Sequence, residues 1–124
     1  MTQDWKEDQP IYRQLRDKVA AQILQGALKE GDALPSVRTV AVDLQINPLT
    51  ANKAYQELVD ENLVEKRRGV GMYVTKGARE RLLALEKKHF LDEEWPAIAA
   101  RIAALGFKAD ELLKAKTKNG SKAS

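Results

Sequence analysis

The sequence predicts a mainly α fold carrying one small β-hairpin wing. Three observations predict it: apolar residues recur at helical spacing from residue 10 to 58, the period falls to two between 63 and 75, and helical spacing returns beyond Gly77. The expected order is an N-terminal domain over 1–76, a short C-terminal helical region over 77–116 and a disordered basic tail over 117–124.

Ile11, Leu15, Val19 and Ile23 repeat every four residues, with Tyr12 and Leu24 widening the stripe, so residues 10–26 are expected to form a helix with one apolar face. Pro10 suits its first position, where a missing N–H costs nothing, and Gly26 suits the left-handed residue that ends it. A turn is expected at Lys29-Glu30-Gly31-Asp32. Ser36 follows the helix-breaking Leu34-Pro35 as an N-cap, and Val37, Val40, Ala41 and Leu44 mark a short second helix over 36–44. After Gln45-Ile46, Asn47-Pro48 sets a cap residue before a proline at the first position of a third helix. Ala51, Ala54, Tyr55 and Leu58 form its buried face, which leaves Leu49, Thr50, Asn52, Lys53 and Gln56 pointing outward. Two helices joined by so tight a turn describe a helix-turn-helix.

Leu63 to Arg67 and Met72 to Thr75 alternate with period two around Arg68-Gly69-Val70-Gly71, the pattern of a hairpin with a glycine-containing turn. Helix, helix-turn-helix, hairpin in that order is the winged-helix arrangement, and so small a hairpin must pack on the helices to be stable. Beyond Gly77, three further apolar groups mark helices: Leu82, Leu83, Leu85 and Phe90, then Ile98, Ala99, Ile102 and Leu105, then Leu112 and Leu113. Pro96 is expected to kink or break this stretch, with Asp92-Glu93-Glu94 as a fresh N-terminus, and Gly106 to end the helix that follows.

At 124 residues the chain has room for one core and a small appendage. The absence of cysteine removes disulfides, thiolate metal sites and thiol nucleophiles, and the lone His89 reads as a surface side chain. There are no paired carboxylates, no Ser-His-Asp set and no phosphate-cradling glycine loop ahead of a helix, so the reading is not an enzyme, with no metal and no cofactor. The opening MTQDWKED is acidic and polar and no run of ~18 apolar residues occurs, so a cytoplasmic protein without a membrane partner is expected.

A helix-turn-helix places its second helix in the major groove of double-stranded DNA, where residues of the first turns reach base edges. Here those are Asn47, Leu49, Thr50, Asn52 and Lys53. Asparagine pairs with adenine, threonine bonds a base or touches a thymine methyl, leucine makes only the apolar contact, and lysine serves guanine or phosphate. Lys66, Arg67 and Arg68 run into the glycine turn and suit phosphate or minor-groove contact, although cations also protect exposed strand edges from aggregation. Residues 1–76 carry eleven cationic and eleven acidic side chains, and the net charge of +3 belongs to residues 77–124. Phosphate binding must therefore rest on placement, with Arg38, Lys53 and the wing triplet expected on one face, and a pair of such modest surfaces is more effective than one.

The run from PIYRQL through the G31-D-x-L-P-S-V-R block, Asn47-Pro48 into Thr50, the A54-Y-Q-E-L block and the closing G69-x-G-x-Y-V resembles the GntR family of bacterial winged-helix transcription regulators, over about residues 10–75. The brief helical tail resembles its YtrA-like subfamily, whose short helices mainly dimerise. The resemblance implies that Arg38, Thr50, the positions of Pro48, Leu49 and Asn52, and the wing residues Arg68 and Gly69 face DNA. Asn52 stands where an arginine is frequent and Leu49 where a polar residue is usual, so the preferred site should differ from that of relatives. Gln45 replaces a frequent turn glycine, and a positive φ there would cost of order 1 kcal/mol.

These readings lead to a homodimeric repressor of a pseudo-palindromic operator, with the resemblance extending to regulators of transport operons. The tail helices cannot bury their own stripes in so short a segment, so Leu82, Leu83, Phe90, Trp95, Ile98, Ile102 and Leu105 are expected to pair with a second copy. Phe90, Trp95, Ile98 and Ile102 also admit a second use, lining a site for an unidentified small-molecule effector, although core packing is the commoner use of such residues. The neutral charge of residues 1–76 motivates the alternative of a nonspecific nucleic-acid-binding or protein-interaction module.

Overall fold

The computed structural model describes residues 5–115, and the tail expected over 117–124 lies outside them. Along the described residues run α1 (Ile11–Gln25), α2 (Val37–Leu44), α3 (Pro48–Asp60), β1 (Val64–Arg67), β2 (Gly71–Val74), α4 (Ala78–His89), a π-helical turn (Phe90–Glu94), α5 (Trp95–Leu105) and α6 (Ala109–Lys114). The chain divides after Leu85 into two compact units. The boundary expected at residue 76 moves into α4 because Ala78 and Leu82 are buried in the core of the first unit.

In the first unit α1 buries Leu15, Val19, Ala20 and Ile23 and ends at Gly26, whose φ of 87° is open to glycine without strain. Its stripe meets the buried Ala51, Ala54, Tyr55 and Leu58 of α3, and Leu34, Leu63, Val64, Val74 and Leu82 complete the cluster. Fully burying a single aliphatic side chain of this kind stabilises by about 1.5–3 kcal/mol. Two ion pairs reinforce the α1–α3 seam: Arg13 Nη1 lies 2.8 Å from Glu57, and the buried Arg16 bonds Glu61 at the end of α3 as well as Asp17. Burial by itself would lower the affinity of Arg16 for its proton, but the bonds and charges of Glu61 and Asp17 outweigh it and hold the guanidinium above its ordinary value.

The hairpin is antiparallel, with Val64 opposite Val74, Glu65 opposite Tyr73 and Lys66 opposite Met72. A bridge between Ala33 and Tyr73 adds the segment before α2 to the free edge of β2, through Gly31 N–H to Val74 O and Leu34 N–H to Met72 O, each 2.9 Å. The turn expected at 29–32 thus leads into a third, minimal strand that docks the hairpin on the helices. Behind it, Glu30 accepts the Gly77 N–H at 2.7 Å ahead of α4, while Arg79 donates to Leu24 O and Arg81 to Asn62 O.

Pro96 does not break the helix. The backbone stays helical from Ala78 to Leu105, and Asp92-Glu93-Glu94, expected to open a new helix, lies inside the π-helical turn. Proline has no N–H to bond the fourth residue before it and its ring crowds that carbonyl. The wider turn, in which Trp95 N–H reaches Phe90 O, takes up the misfit just ahead of the ring. Gly106 ends α5 in the left-handed conformation, as expected, and Glu111 accepts the Lys108 N–H at 2.7 Å to open α6. No residue of α5 or α6 is buried. Among the described residues no helix is long and apolar enough to cross a membrane.

Candidate nucleic-acid interface

The helix-turn-helix is built from caps. The Ser36 hydroxyl accepts the Thr39 N–H at 3.0 Å and donates to Thr39 Oγ1, which starts α2 and leaves Arg38 exposed in its first turn. Gln45 closes α2 with φ 56° and ψ 48°, the left-handed conformation in which the family's turn glycine was expected to be replaced. Asn47 Oδ1 accepts the Leu49 N–H at 2.8 Å and Pro48 occupies the first turn of α3. Tyr55, buried in α3, donates its hydroxyl to Pro35 O at 2.7 Å and so ties the start of α2 to the middle of α3.

This bracing divides α3 sharply. Ala51 and Ala54 are fully buried, whereas Leu49 is 77% exposed and Pro48, Asn52 and Lys53 are open to solvent. Thr50 is half-buried, with its N–H bonded to Asn47 O. Asn47 serves first as a cap, so only its amide nitrogen is left for recognition. On the wing, Gly69 at φ 71° forms the turn beside the exposed Arg68. Among the described residues the side chains of Arg38, Lys66 and Arg68 are in no hydrogen bond or ion pair, and their charge is available to a phosphate.

Two expected cations are held by neighbours. The Lys53 ammonium lies 4.1 Å from the ring centre of Tyr12, and Arg67 lies 4.2 Å from that of Tyr73 while its guanidinium bonds Glu65 at 3.1 Å. Residues alternate across a strand, so Glu65, Arg67 and Tyr73 share one face of the hairpin and Lys66 shares the other with Met72. The wing triplet is therefore not a single block of charge on one face: the pleat separates Lys66 from Arg67, and Glu65 offsets the charge of Arg67. The two tyrosine platforms, the Tyr55 hydroxyl bond and the Ala33 bridge were not anticipated from sequence. A buried tyrosine needs a partner for its hydroxyl, and that rule alone could have signalled the role of Tyr55.

Residues 11–74, the span that contains these caps, the divided α3 and the wing, match the model of the bacterial regulatory proteins of the gntR family. The chain belongs to the GntR family. It is a transcription regulator of GntR type with a DNA-binding winged helix-turn-helix, and within the family it is YtrA-like. It is 40% identical to the HTH-type transcriptional repressor YtrA of Bacillus subtilis over 64% of this chain, a match that spans 62% of that relative and so less than two thirds of its length. Among solved structures, a transcriptional regulator from Oenococcus oeni is 27% identical with a TM-score of 0.73, covering 90% of this chain and 92% of that one. YtrA from Sulfolobus acidocaldarius, a GntR-family transcription factor, is 36% identical with a TM-score of 0.57, over 71% of this chain and 93% of that one.

Of the residues expected to pair with a second copy, Leu82 is only 1% exposed and is part of its own core, so it is unavailable to a partner. Leu83 and Ile102 are half-buried, and Phe90, Trp95, Ile98 and Leu105 are open to solvent. Phe90 and Trp95 lie 6.3 Å apart across the π-helical turn, and Lys88 with Asp92 and His89 with Glu94 pair across it. Among the described residues no His, Asp and Glu side chains gather where a metal ion could be held.

Proposed function

We propose that this GntR regulator is a homodimeric, sequence-specific repressor that occupies a pseudo-palindromic operator. The observation that carries the reading is the division of α3, whose inner residues are locked into the core while Leu49 and Asn52, like Arg38 of α2, are exposed. The major groove receives the N-terminal half of α3, Asn52 bonds a base edge, Leu49 packs on a thymine methyl, and the α3 N-terminus and Arg38 meet phosphate. Arg68 and Lys66 grip the flanking backbone from the wing. Repression follows from occupancy of the site, and the likeness to the YtrA repressor supports that sign. The controlled genes are taken to form a transport operon, in keeping with the YtrA-like group.

A second copy covers the apolar face of the second unit. Phe90, Trp95, Ile98 and Leu105 are too large and too exposed to be left in water, and two-fold pairing buries the same patch of each copy. It also doubles the phosphates contacted by an N-terminal segment, residues 1–76, whose formal charge is balanced. An effector, where one acts, binds between the copies beside Phe90 and Trp95.

Selection from a random duplex library with the purified chain tests the reading. It should enrich an inverted repeat whose half-sites lie about one helical turn, ~10 base pairs, or a multiple of it apart. Recovery of no inverted repeat overturns it. Binding that falls steeply with salt and prefers no sequence would instead indicate a nonspecific nucleic-acid module.

A further inference from the structure

Lys53 differs from the other cations near α3. It follows Asn52 and stands four residues after Leu49, so its stem rises from the exposed side of the helix, yet its ammonium rests 4.1 Å from the centre of the Tyr12 ring on α1. Tyr12 is half-buried and packs against the core, so the ring is a fixed platform. An acid four residues on, here Glu57, lies on the same side of the helix within reach of such a lysine. Arg13, the neighbour of Tyr12, already holds the Glu57 carboxylate at 2.8 Å. Adjacent residues of α1 thus do complementary work, one holding the lysine and the other holding the acid one turn along from it.

We propose that Tyr12 is a positioning residue for DNA binding, holding the uncompensated Lys53 ammonium at the edge of α3 where a phosphate of the duplex meets it. A lysine on a ring face keeps its full charge and its N–H donors, whereas one paired with glutamate has its charge offset. The platform also limits the rotamers of a long, flexible stem, and so lessens the entropy lost on binding. The proposal rests on the reading that α3 faces DNA.

The test compares Tyr12→Leu, Tyr12→Phe, Arg13→Gln and Lys53→Met, with Tyr12→Leu and Arg13→Gln each also combined with Lys53→Met. Binding of a labelled random-sequence duplex pool and of the duplex enriched from it is measured at fixed salt, with circular dichroism as a check on folding. Tyr12→Leu should weaken both by about two- to five-fold, and Tyr12→Phe, which keeps the ring face, should bind as the parent does. Once Lys53 is methionine, Tyr12→Leu should have no further effect. Arg13→Gln frees Glu57 to pair with Lys53 and should weaken binding more with Lys53 present than without it, which decides the matter if Tyr12→Leu fails to fold. Independent, multiplying effects of Tyr12→Leu and Lys53→Met, or an unchanged affinity in Lys53→Met, overturn the proposal while leaving DNA binding intact. Failure of the parent chain to bind either duplex overturns the reading beneath it, and the proposal with it.

Discussion

Tyr55 joins α3 to the segment before α2 through one side chain. Its ring lies in the core of α3, its hydroxyl bonds Pro35 O, and burial pushes the phenol up to about 12. Because the folded state holds this proton more tightly than the unfolded chain, its contribution is fully present below pH ~10 and is lost as pH rises toward the folded value. Tyr55→Phe should lower stability at neutral pH by about 1 kcal/mol and flatten the decline above pH ~10, as urea melts across that range will report. Gln45 presents the opposite case, a side chain at a position that favours glycine. An L-residue at φ 56° carries roughly 1–2 kcal/mol of strain, and glycine there loses somewhat more chain entropy on folding. Gln45→Gly should therefore raise stability by about 0.5 kcal/mol, and Gln45→Val should lower it by more than ~1 kcal/mol, both readable as shifts in Tm. The strain at Gln45 was foreseeable from a missing turn glycine, but the Lys53–Tyr12 contact was not, because residues forty-one positions apart share no local pattern.

Among the elements, the helices were the most legible. Ser36 and Asn47 cap α2 and α3 as their positions predicted, since a cap acts over two or three residues and is written in the local sequence. Ser36→Ala removes the acceptor for the Thr39 N–H and should cost about 1 kcal/mol, with a matching fall in the denaturant midpoint and no change in its slope. The hairpin was visible in its alternation, but its third strand was not. One bridge from Ala33 to Tyr73 leaves too short a run for period two to register. The charges of Asp92-Glu93-Glu94 suggested a helix start, because acids favour a first turn. The backbone instead widens into a π-helical turn before Pro96 and continues, an alternative that a local charge pattern cannot distinguish from a new start.

For the molecule as a whole, placement matters more than total charge: residues 1–76 are formally balanced, yet Arg38, Lys66 and Arg68 remain open to phosphate. The second unit poses the complementary problem of apolar surface without cover. Ile98→Glu should convert the proposed dimer to a monomer in sedimentation analysis, lower affinity for the selected operator, and leave the helical signal of the first unit intact, because Ile98 is outside that core. An unchanged mass would remove this face as the interface. The sequence by itself determined the helices, their caps, the winged order and the family, all properties of short-range spacing or of an ordered run of motifs. Only the tertiary structure decided that Leu82 is spent inside its own core, that Glu65 and Tyr73 hold Arg67 away from its neighbours in the triplet, and that Lys53 rests on Tyr12. Spacing states which residues share a face, whereas packing between distant segments decides which of those residues already have a partner.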